Sequence, residues 1–317
     1  MGADAHAHRW APILVRMSSL LAAVTVLMGL GGCQTTVERP ASASPTVRGS
    51  DDVVTISFRD FEGVRRQVAG VLSRPGEPVA QQRPAVVILH DGGGWQTGRT
   101  RMYAEFFRAQ GLIVLEPRLY QHSGQSDLYR DLPAVLGALE HLAGRPEVDS
   151  RRIYLLGMSA GAMLAMLANS EWPRRTLGID APRFRAHAAF YPVCWIFQDG
   201  LQSGRNPYLG KLPAETFARW GSTPVRLFVP ELDDYDDRDP ATCERFVAAL
   251  PAEHGRAAFS VQRYPGATHG WDHGQTYSFF ARSACKGRGC TNTNRSDPQT
   301  TRQAREDLLK FFVANGL

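Results

Sequence analysis

The chain has 317 residues, of which 43% are hydrophobic and 21% charged. This composition permits a sizeable buried core and excludes global disorder. The formal net charge is +5, but the arginines are scattered and no dense Lys/Arg block with interleaved aromatic residues occurs, so nucleic-acid binding is not expected.

The N-terminus has the anatomy of a secretory leader. Arg9 and Arg16 precede an apolar run at 20–30, which ends in Leu-Gly-Gly-Cys33. A transmembrane anchor needs about 20 apolar residues, so this run favours cleavage over spanning. The small residues before Cys33 resemble the bacterial lipobox, in which the cysteine is acylated. We therefore predict a lipoprotein signal peptide at 1–32 and lipidation of Cys33, with simple secretion as the alternative.

The segment after the leader is predicted to be a flexible tether. Residues 33–50 begin with the acylated cysteine and are rich in Ser, Thr, Pro and Ala without periodicity. Gln34, rather than Asp, follows the cysteine, which resembles lipoproteins that are passed to the outer membrane. We expect an exported, lipid-anchored protein of the bacterial envelope, facing the periplasm, whose folded domain spans 51–317.

Short β-rich runs alternate with helical stretches through this domain, which predicts an α/β fold. The predicted strands are 53–58, 67–72, 85–89, 112–115, 153–156, 188–191, 225–229 and 259–264. The predicted helices are 99–110, 128–142, 160–168, 241–250 and 301–314. The first two strands lack an intervening helix, so they should form an antiparallel hairpin at the N-terminal edge of a mostly parallel sheet with helices on both faces.

A Gly-Met-Ser-Ala-Gly sequence at 157–161 lies between a predicted strand and a predicted helix. Glycines at both ends permit a sharp strand-to-helix turn that exposes the hydroxyl of Ser159. The amide of Ala160 then lies at a helix N-terminus, where it can donate to an oxyanion. The motif thus predicts a nucleophilic serine, although an ordinary strand–helix turn has the same composition.

A serine nucleophile needs a histidine that accepts its proton. Of the nine histidines, His269 is the best candidate, because it follows a predicted strand through a Pro-Gly turn, on a loop that leaves the sheet. His273 lies four residues later, and the two together resemble a metal-binding pair on a helix. Gly270 and Gly274 argue against such a helix, so no metal is expected.

The third member of a triad is a carboxylate that orients the imidazole. The run at 225–237 ends a predicted strand in several acidic residues, of which Asp233 is the first aspartate. Asp236 and Asp237 are interpreted as solvated or as caps of the next helix. A calcium loop is an alternative, but the glycine-spaced ligand pattern of an EF-hand is missing. The order Ser159, Asp233, His269 is that of α/β-hydrolases.

A glycine-rich loop follows the predicted strand at 85–89, in the sequence His90-Asp-Gly-Gly-Gly-Trp95. Its backbone amides, with Gly92 as the candidate, can supply the second half of an oxyanion hole. Arg118 is either a contact for an acidic substrate or a structural arginine. The aromatic residues Trp95, Tyr191 and Trp271 are candidates for the pocket wall or for core packing.

The cysteines also fit an exported protein. Apart from the candidate lipidation site, four remain, and an even number favours two disulfides over four reduced thiols. Four cysteines allow three connectivities. Proximity in the sequence favours Cys285 with Cys290, which leaves Cys194 with Cys243.

Taken together, these motifs resemble the dienelactone hydrolase family of α/β-hydrolases over most of 60–315. The resemblance rests on the glycine-rich loop, the serine elbow, the acidic run, the segment at 188–194 and the His269 loop. Founding members carry cysteine at the elbow, where this chain has Ser159, and Pro230 replaces a glycine. The stretch at 280–301, with two cysteines, resembles an insertion beside the active site.

The resemblance implies a serine hydrolase that cleaves carboxylic esters or lactones through an acyl-enzyme intermediate, without a metal or organic cofactor. The expected partners are a small ester substrate and, through the lipid anchor, a membrane. The alternatives are a sugar deacetylase or peptidase on the same fold, and a binding lipoprotein without turnover. The oligomeric state is not predicted.

Overall fold

An eight-stranded sheet forms the centre of the domain. Its strands are β1 Asp51–Arg59, β2 Arg65–Ser73, β3 Arg83–Leu89, β4 Ile113–Pro117, β5 Val148–Met158, β6 His187–Phe190, β7 Val225–Pro230 and β8 Phe259–Tyr264. Their order is β1-β2-β4-β3-β5-β6-β7-β8. Among these eight strands, β2 runs antiparallel to the other seven. The predicted antiparallel edge on a mostly parallel sheet is confirmed.

The structure is a computed structural model that describes residues 51–76, 81–95, 98–120 and 126–317. The described residues belong to one compact unit, Thr46–Leu317. The predicted signal peptide at 1–32, the acylated Cys33 and the tether at 33–50 lie outside the described residues. Within those ranges, no helix has the combination of length and apolar character that crossing a bilayer requires.

Seven helices are described. They are α1 Arg99–Ala109, α2 Leu128–Ala143, α3 Ala160–Leu167, α4 Glu171–Leu177, α5 Cys194–Ser203, α6 Thr242–Ala249 and α7 Pro298–Ala314. α1 and α7 pack on one face of the sheet, and α2, α3, α5 and α6 on the other. The five predicted helices are confirmed, whereas α4 and α5 were not predicted.

The side chains of each strand alternate between the two faces of the sheet, so one strand contributes to the core on both sides. On β3, Val87 contacts the cluster under α2 and α3, whereas its neighbours Val86 and Ile88 contact the cluster under α1 and α7. All three are fully buried. A strand that is buried on both faces needs a continuous apolar run, which residues 85–89 provide.

The helix starts follow from capping residues. Asp127 accepts hydrogen bonds from the first amides of α2, and Asp297 accepts one from Thr300 N at 2.9 Å at the start of α7. Pro298 occupies the first position of α7, where its missing N–H costs nothing. α7 therefore begins three residues before the predicted start at residue 301.

The predicted insertion at 280–301 forms most of a separate two-stranded sheet. Its strands are β9 Tyr277–Ala281 and β10 Cys290–Asn294, paired antiparallel. The Cys285–Cys290 disulfide closes the connection between them, and Cys194 pairs with Cys243 elsewhere. Both favoured disulfide pairings are confirmed. We call Tyr277–Asn294 the β9–β10 hairpin.

Candidate active site

Ser159 lies at the bend between β5 and α3, with φ 53° and ψ −114°. This backbone conformation is rarely adopted by a residue with a side chain, so the surrounding structure must enforce it. The amide of Ser159 donates to Phe190 O at 2.9 Å, which fixes the bend to the end of β6. The hydroxyl is thereby carried beyond the end of the sheet.

The two glycines of the elbow are required by close backbone contacts. A Cβ atom at Gly157 would lie 2.0 Å from Gly161 O, and a Cβ at Gly161 would lie 2.5 Å from His90 O. Both distances are far below van der Waals contact. Only hydrogen fits at these two positions, so the elbow depends on both glycines.

The structure brings together the three residues predicted as a triad. His269 Nδ1 lies 2.8 Å from Asp233 Oδ2, and His269 Nε2 lies 2.8 Å from Ser159 Oγ. His269 and Asp233 are 4% and 3% exposed, so water competes little for these hydrogen bonds. Nδ1–H donates to the carboxylate, which leaves Nε2 free to accept the serine proton.

The loops that carry the acid and the base are tied to each other. Leu232 N donates to Ala267 O at 2.9 Å, which joins the loop after β7 to the loop after β8. Asp233 Oδ1 accepts from Tyr235 N at 2.9 Å, so both carboxylate oxygens have a donor. The ring of Tyr235 lies 4.4 Å from that of His269. These contacts limit the motion of the imidazole.

The observed position of Asp236 differs from the predicted one. It is neither solvated nor a cap of the following helix, α6, because its carboxylate is buried and accepts from Cys194 N at 3.2 Å and Trp195 N at 2.8 Å, at the start of α5. Burial, together with the charge of Asp233, raises the pKa of Asp236 to about 8. Asp237 forms an ion pair with Arg288 at the surface.

The two candidate oxyanion donors lie side by side. A Cβ at Gly92 would come within 3.9 Å of the Cβ of Ala160. Asp91 accepts from the amides of Gly93 and Gly94, whereas the amide of Gly92 has no partner among the described residues. Ala160 N is in the first turn of α3 and points out of the helix. Both amides are available to a ligand next to Ser159.

His90 holds the glycine-rich loop in place. Its Nδ1 lies 2.9 Å from Asp91 O, and its Nε2 accepts from Leu119 N at 3.0 Å. Burial and the nearby Arg99 lower the pKa of His90 to about 4, which keeps the ring neutral near pH 7. His90 is a structural support of the loop that presents Gly92.

An ionic cluster that the sequence did not predict lies beneath the site. Arg99 at the start of α1 pairs with Asp91 and with Asp272, the latter at 3.6 Å. Tyr191 Oη accepts from Arg99 at 3.1 Å and donates to Asp272 at 2.8 Å. Asp272 is far from Asp91 and Arg99 in the chain, so no local pattern indicated that the three charged residues would meet.

The aromatic candidates have different positions. Tyr191 and Trp271 are fully buried and pack together at 4.8 Å in the core behind His269. Of their two predicted roles, core packing is the one observed. Trp95 lies under the guanidinium of Arg118, at 5.1 Å, which gives that arginine a structural contact.

The metal alternatives find no support in the geometry. His269 and His273 lie in a turn, where His269 contacts Ser159 and His273 contacts the hydroxyl of Tyr277. Among the described residues, one set of three potential ligands is close enough to share an ion, namely Cys194, Asp236 and Cys243. Its two sulfurs are bonded to each other and so are not thiolate ligands.

Two cavities meet at Ser159. One, of about 400 Å³, is lined by Gly92, Ala160 and apolar side chains that include Met163 and Ile196. The other, of about 380 Å³, is lined by His269, Arg99 and residues of the β9–β10 hairpin. A substrate whose carbonyl lies at Ser159 can therefore extend in two directions.

Comparison with known families agrees with this geometry. Residues 68–313 match the sequence profile of the dienelactone hydrolase family. The chain belongs to this family. It is an ester hydrolase with the α/β-hydrolase fold. The comparison with curated protein sequences gives no match.

Solved structures similar to this dienelactone hydrolase family member include an esterase from Thermogutta terrifontis. The apo form of Thermogutta terrifontis esterase 2 has a TM-score of 0.59 and 19% identity, over 88% of this chain and 98% of that chain. Its propionate-bound form has a TM-score of 0.57 and 19% identity, over 83% and 94%. The form phosphorylated by paraoxon has a TM-score of 0.55 and 18% identity, over 83% and 94%. At this identity the likeness concerns the fold.

Proposed function

We propose that Ser159, His269 and Asp233 are the catalytic triad of a hydrolase that cleaves carboxylic esters or lactones. Ser159 Oγ attacks the carbonyl carbon while His269 Nε2 takes its proton, and the amides of Ala160 and Gly92 stabilise the oxyanion. The C–O bond then breaks, and His269 returns the proton to the leaving alkoxide oxygen. Asp233 holds the tautomer that makes both transfers possible.

Water completes the cycle. It gives a proton to His269 as its hydroxyl oxygen adds to the acyl carbon. The bond between this carbon and Ser159 Oγ then breaks, Oγ takes the proton back from His269, and the acid is released. The observation that carries this proposal is the hydrogen-bond chain of 2.8 Å and 2.8 Å from Ser159 through His269 to Asp233.

An active-site label tests the proposal. Thermogutta terrifontis esterase 2 is phosphorylated by paraoxon, and we expect a fluorophosphonate to label the present chain at Ser159. The Ser159→Ala variant should not be labelled, and its kcat should fall by about 10⁴-fold or more. Ser126→Ala is the matched control, since Ser126 lines the same cavity and should leave labelling intact.

A panel of substrates distinguishes an esterase from a sugar deacetylase or a peptidase. Short-chain esters and lactones should be cleaved faster than acetylated sugars or peptides. Faster turnover of the latter two would assign a deacetylase or peptidase to the same triad. Absence of labelling and of turnover in the wild-type chain would indicate a binding protein that has kept the fold.

We further propose that the protein is anchored in the cell envelope by acylated Cys33, facing the periplasm from the outer membrane. The leader sequence and the two disulfides of the domain support this proposal, because disulfides persist in oxidising compartments. Metabolic labelling with an alkyne fatty acid should modify the wild-type chain and not Cys33→Ser. Labelling of both would contradict the proposal.

A further inference from the structure

The two cavities at Ser159 differ in their relation to His269. The cavity of about 380 Å³ is lined by His269, whereas the cavity of about 400 Å³ is not. Because His269 must deliver a proton to the leaving oxygen, the alcohol part of the ester belongs on the side of the imidazole. We call the first the alcohol cavity and the second the acyl cavity.

The wall of the alcohol cavity is an aromatic pair on β9. Tyr277 and Phe279 are two residues apart, so their side chains lie on the same face of the strand. Their ring centroids are 5.8 Å apart and the ring planes are 20° from parallel. Each side chain is 38% exposed, and both line the cavity together with Ser159. The pair offers an aromatic surface beside the nucleophile.

The hydroxyl group of Tyr277 is engaged in two hydrogen bonds. The group accepts from Asn294 Nδ2 at 2.8 Å and lies 2.9 Å from His273 Nε2. Burial and the charge of Arg99 lower the pKa of His273 to about 4, so the neutral ring accepts the proton of the tyrosine hydroxyl. With its hydroxyl engaged, Tyr277 presents its ring to a ligand.

Among the described residues that line the alcohol cavity, no positive charge is left uncompensated. Arg99 reaches the cavity, but it pairs with Asp91 and Asp272. A carboxylate on the alcohol part would meet these two acidic side chains as well as the guanidinium. The charges therefore favour an uncharged group in this cavity.

The hairpin is fixed to the triad loop. Asp234, next to Asp233, accepts from Thr293 N of β10 through its side chain at 2.9 Å. Its carbonyl accepts from Cys285 N at 2.7 Å. The Cys285–Cys290 disulfide closes the hairpin itself. The aromatic pair is thus preorganised, which reduces the entropy lost when a ligand packs against it.

We propose that the enzyme selects esters whose alcohol part carries an uncharged aromatic ring, which packs against Phe279 and Tyr277, while an aliphatic acyl chain occupies the acyl cavity. This inference rests on the proposed function. The acyl cavity suits an aliphatic acyl chain, because Met163, Val193 and Ile196 contribute apolar side chains to its lining. Offset stacking between aromatic rings supplies the preference.

The test compares two esters that differ in the ring alone: benzyl butyrate and cyclohexylmethyl butyrate. Their leaving alcohols are similar in size and neither is chemically activated. We expect wild-type kcat/KM to favour the benzyl ester by about two- to tenfold, the range that one aromatic contact supplies. Phe279→Leu keeps an apolar side chain without the ring, and it should abolish the preference while ethyl butyrate is still cleaved.

Phe280→Leu is the matched control. Phe280 is the next residue of β9, lies on the opposite face, and is 67% exposed outside the cavity. It should retain the benzyl preference. Ethyl phenylacetate and ethyl cyclohexylacetate place the same rings on the acyl side, where Phe279→Leu should not change their ratio.

The outcomes distinguish this inference from the proposed function. Ser159-dependent cleavage of ethyl butyrate without a benzyl preference, or a preference that Phe279→Leu leaves intact, overturns the inference while the hydrolase stands. If Phe279→Leu instead changes the ratio of kcat/KM between ethyl phenylacetate and ethyl cyclohexylacetate, the two cavities have the opposite roles and the inference is wrong. No Ser159-dependent cleavage of any of these esters overturns both proposals.

Discussion

At the scale of single residues, the site depends on a backbone bend that a side chain would prevent. The φ of 53° at Ser159 exists because Gly161 packs against β3 and Gly157 packs against Gly161. The strain is maintained by the packing of the whole strand–helix junction. Loss of either glycine should therefore affect both folding and catalysis.

Gly161→Ala tests this dependence. Its new Cβ would lie 2.5 Å from His90 O, which is backbone and has little freedom to move. We expect the free energy of unfolding to fall by about 3 kcal/mol or more, measured by urea denaturation, with loss of esterase activity. At Gly274, a Cβ would have no neighbour within 4 Å. Gly274→Ala should change stability by less than about 0.5 kcal/mol, and equal effects of the two variants would contradict the packing explanation.

Two aspartates three residues apart show how environment assigns roles. Asp233 faces the imidazole of His269, whereas Asp236 faces the first amides of α5. Asp236 thereby connects the acidic loop to the helix that carries Ile196 of the acyl cavity. One loop thus positions the triad acid and also anchors a cavity wall.

At the scale of elements, the disulfides fasten two parts of the site. Cys194–Cys243 joins α5 to α6, with a sequence separation of 49 residues, and Cys285–Cys290 closes a separation of 5 within the β9–β10 hairpin. A cross-link over a longer loop removes more entropy from the unfolded chain. The two bonds should therefore contribute unequally to stability.

Double substitutions of the cysteines by alanine measure this difference. The chain-entropy relation predicts a loss of about 4 kcal/mol for Cys194→Ala/Cys243→Ala and about 2 kcal/mol for Cys285→Ala/Cys290→Ala. Urea unfolding under oxidising conditions checks the order. A larger loss for the hairpin pair would show that native contacts, rather than chain entropy, dominate its contribution. Under reducing conditions the wild-type chain loses both disulfides. Its free energy of unfolding should then be no higher than that of the less stable variant.

At the scale of the whole molecule, the parallel sheet explains why distant residues converge. β3, β5, β7 and β8 run in the same direction, so the loops after their carboxyl ends share one edge of the sheet. These loops carry Gly92, Ser159, Asp233 and His269. Ligand sites in open α/β sheets form at this edge for the same reason.

Two buried histidines make the stability of the entire fold depend on pH. Burial lowers the pKa of His90 and of His187 to about 4, whereas an unfolded chain has a histidine pKa of about 6.5. Between these values the unfolded state binds more protons. The stability that each neutral histidine contributes is therefore complete above pH 6.5 and is lost as the pH falls toward 4.

His187→Gln isolates one of these contributions. His187 Nδ1 lies 2.8 Å from Ala165 O, a contact that a glutamine amide can also make. The loss of unfolding free energy between pH 7.5 and pH 4.5 should be smaller in the variant than in wild type by about 2.5 kcal/mol. His254→Gln, at a partly exposed position, is the control. Parallel pH curves for wild type and His187→Gln would contradict the prediction.

The sequence by itself determined the features that depend on local pattern. The pattern of apolar runs and turn residues predicted the strands, five of the helices and the edge hairpin. The glycine-flanked serine, together with the other motifs, predicted the family. Each of these signals lies within a few residues of sequence. The two favoured disulfides followed from cysteine number and spacing. The choice of Asp233 and His269 followed from their positions just after predicted strands.

The tertiary structure alone decided what depends on contacts between distant segments. Nothing near Arg99 in the sequence indicates that Asp272 will neutralise it, and nothing near Asp236 indicates that it caps α5, since those partners lie in other segments. The two cavities, and the placement of Tyr277 and Phe279 on one of them, arise in the same way. Local propensity sets elements and turns, whereas side-chain packing across the sheet edge sets which groups meet.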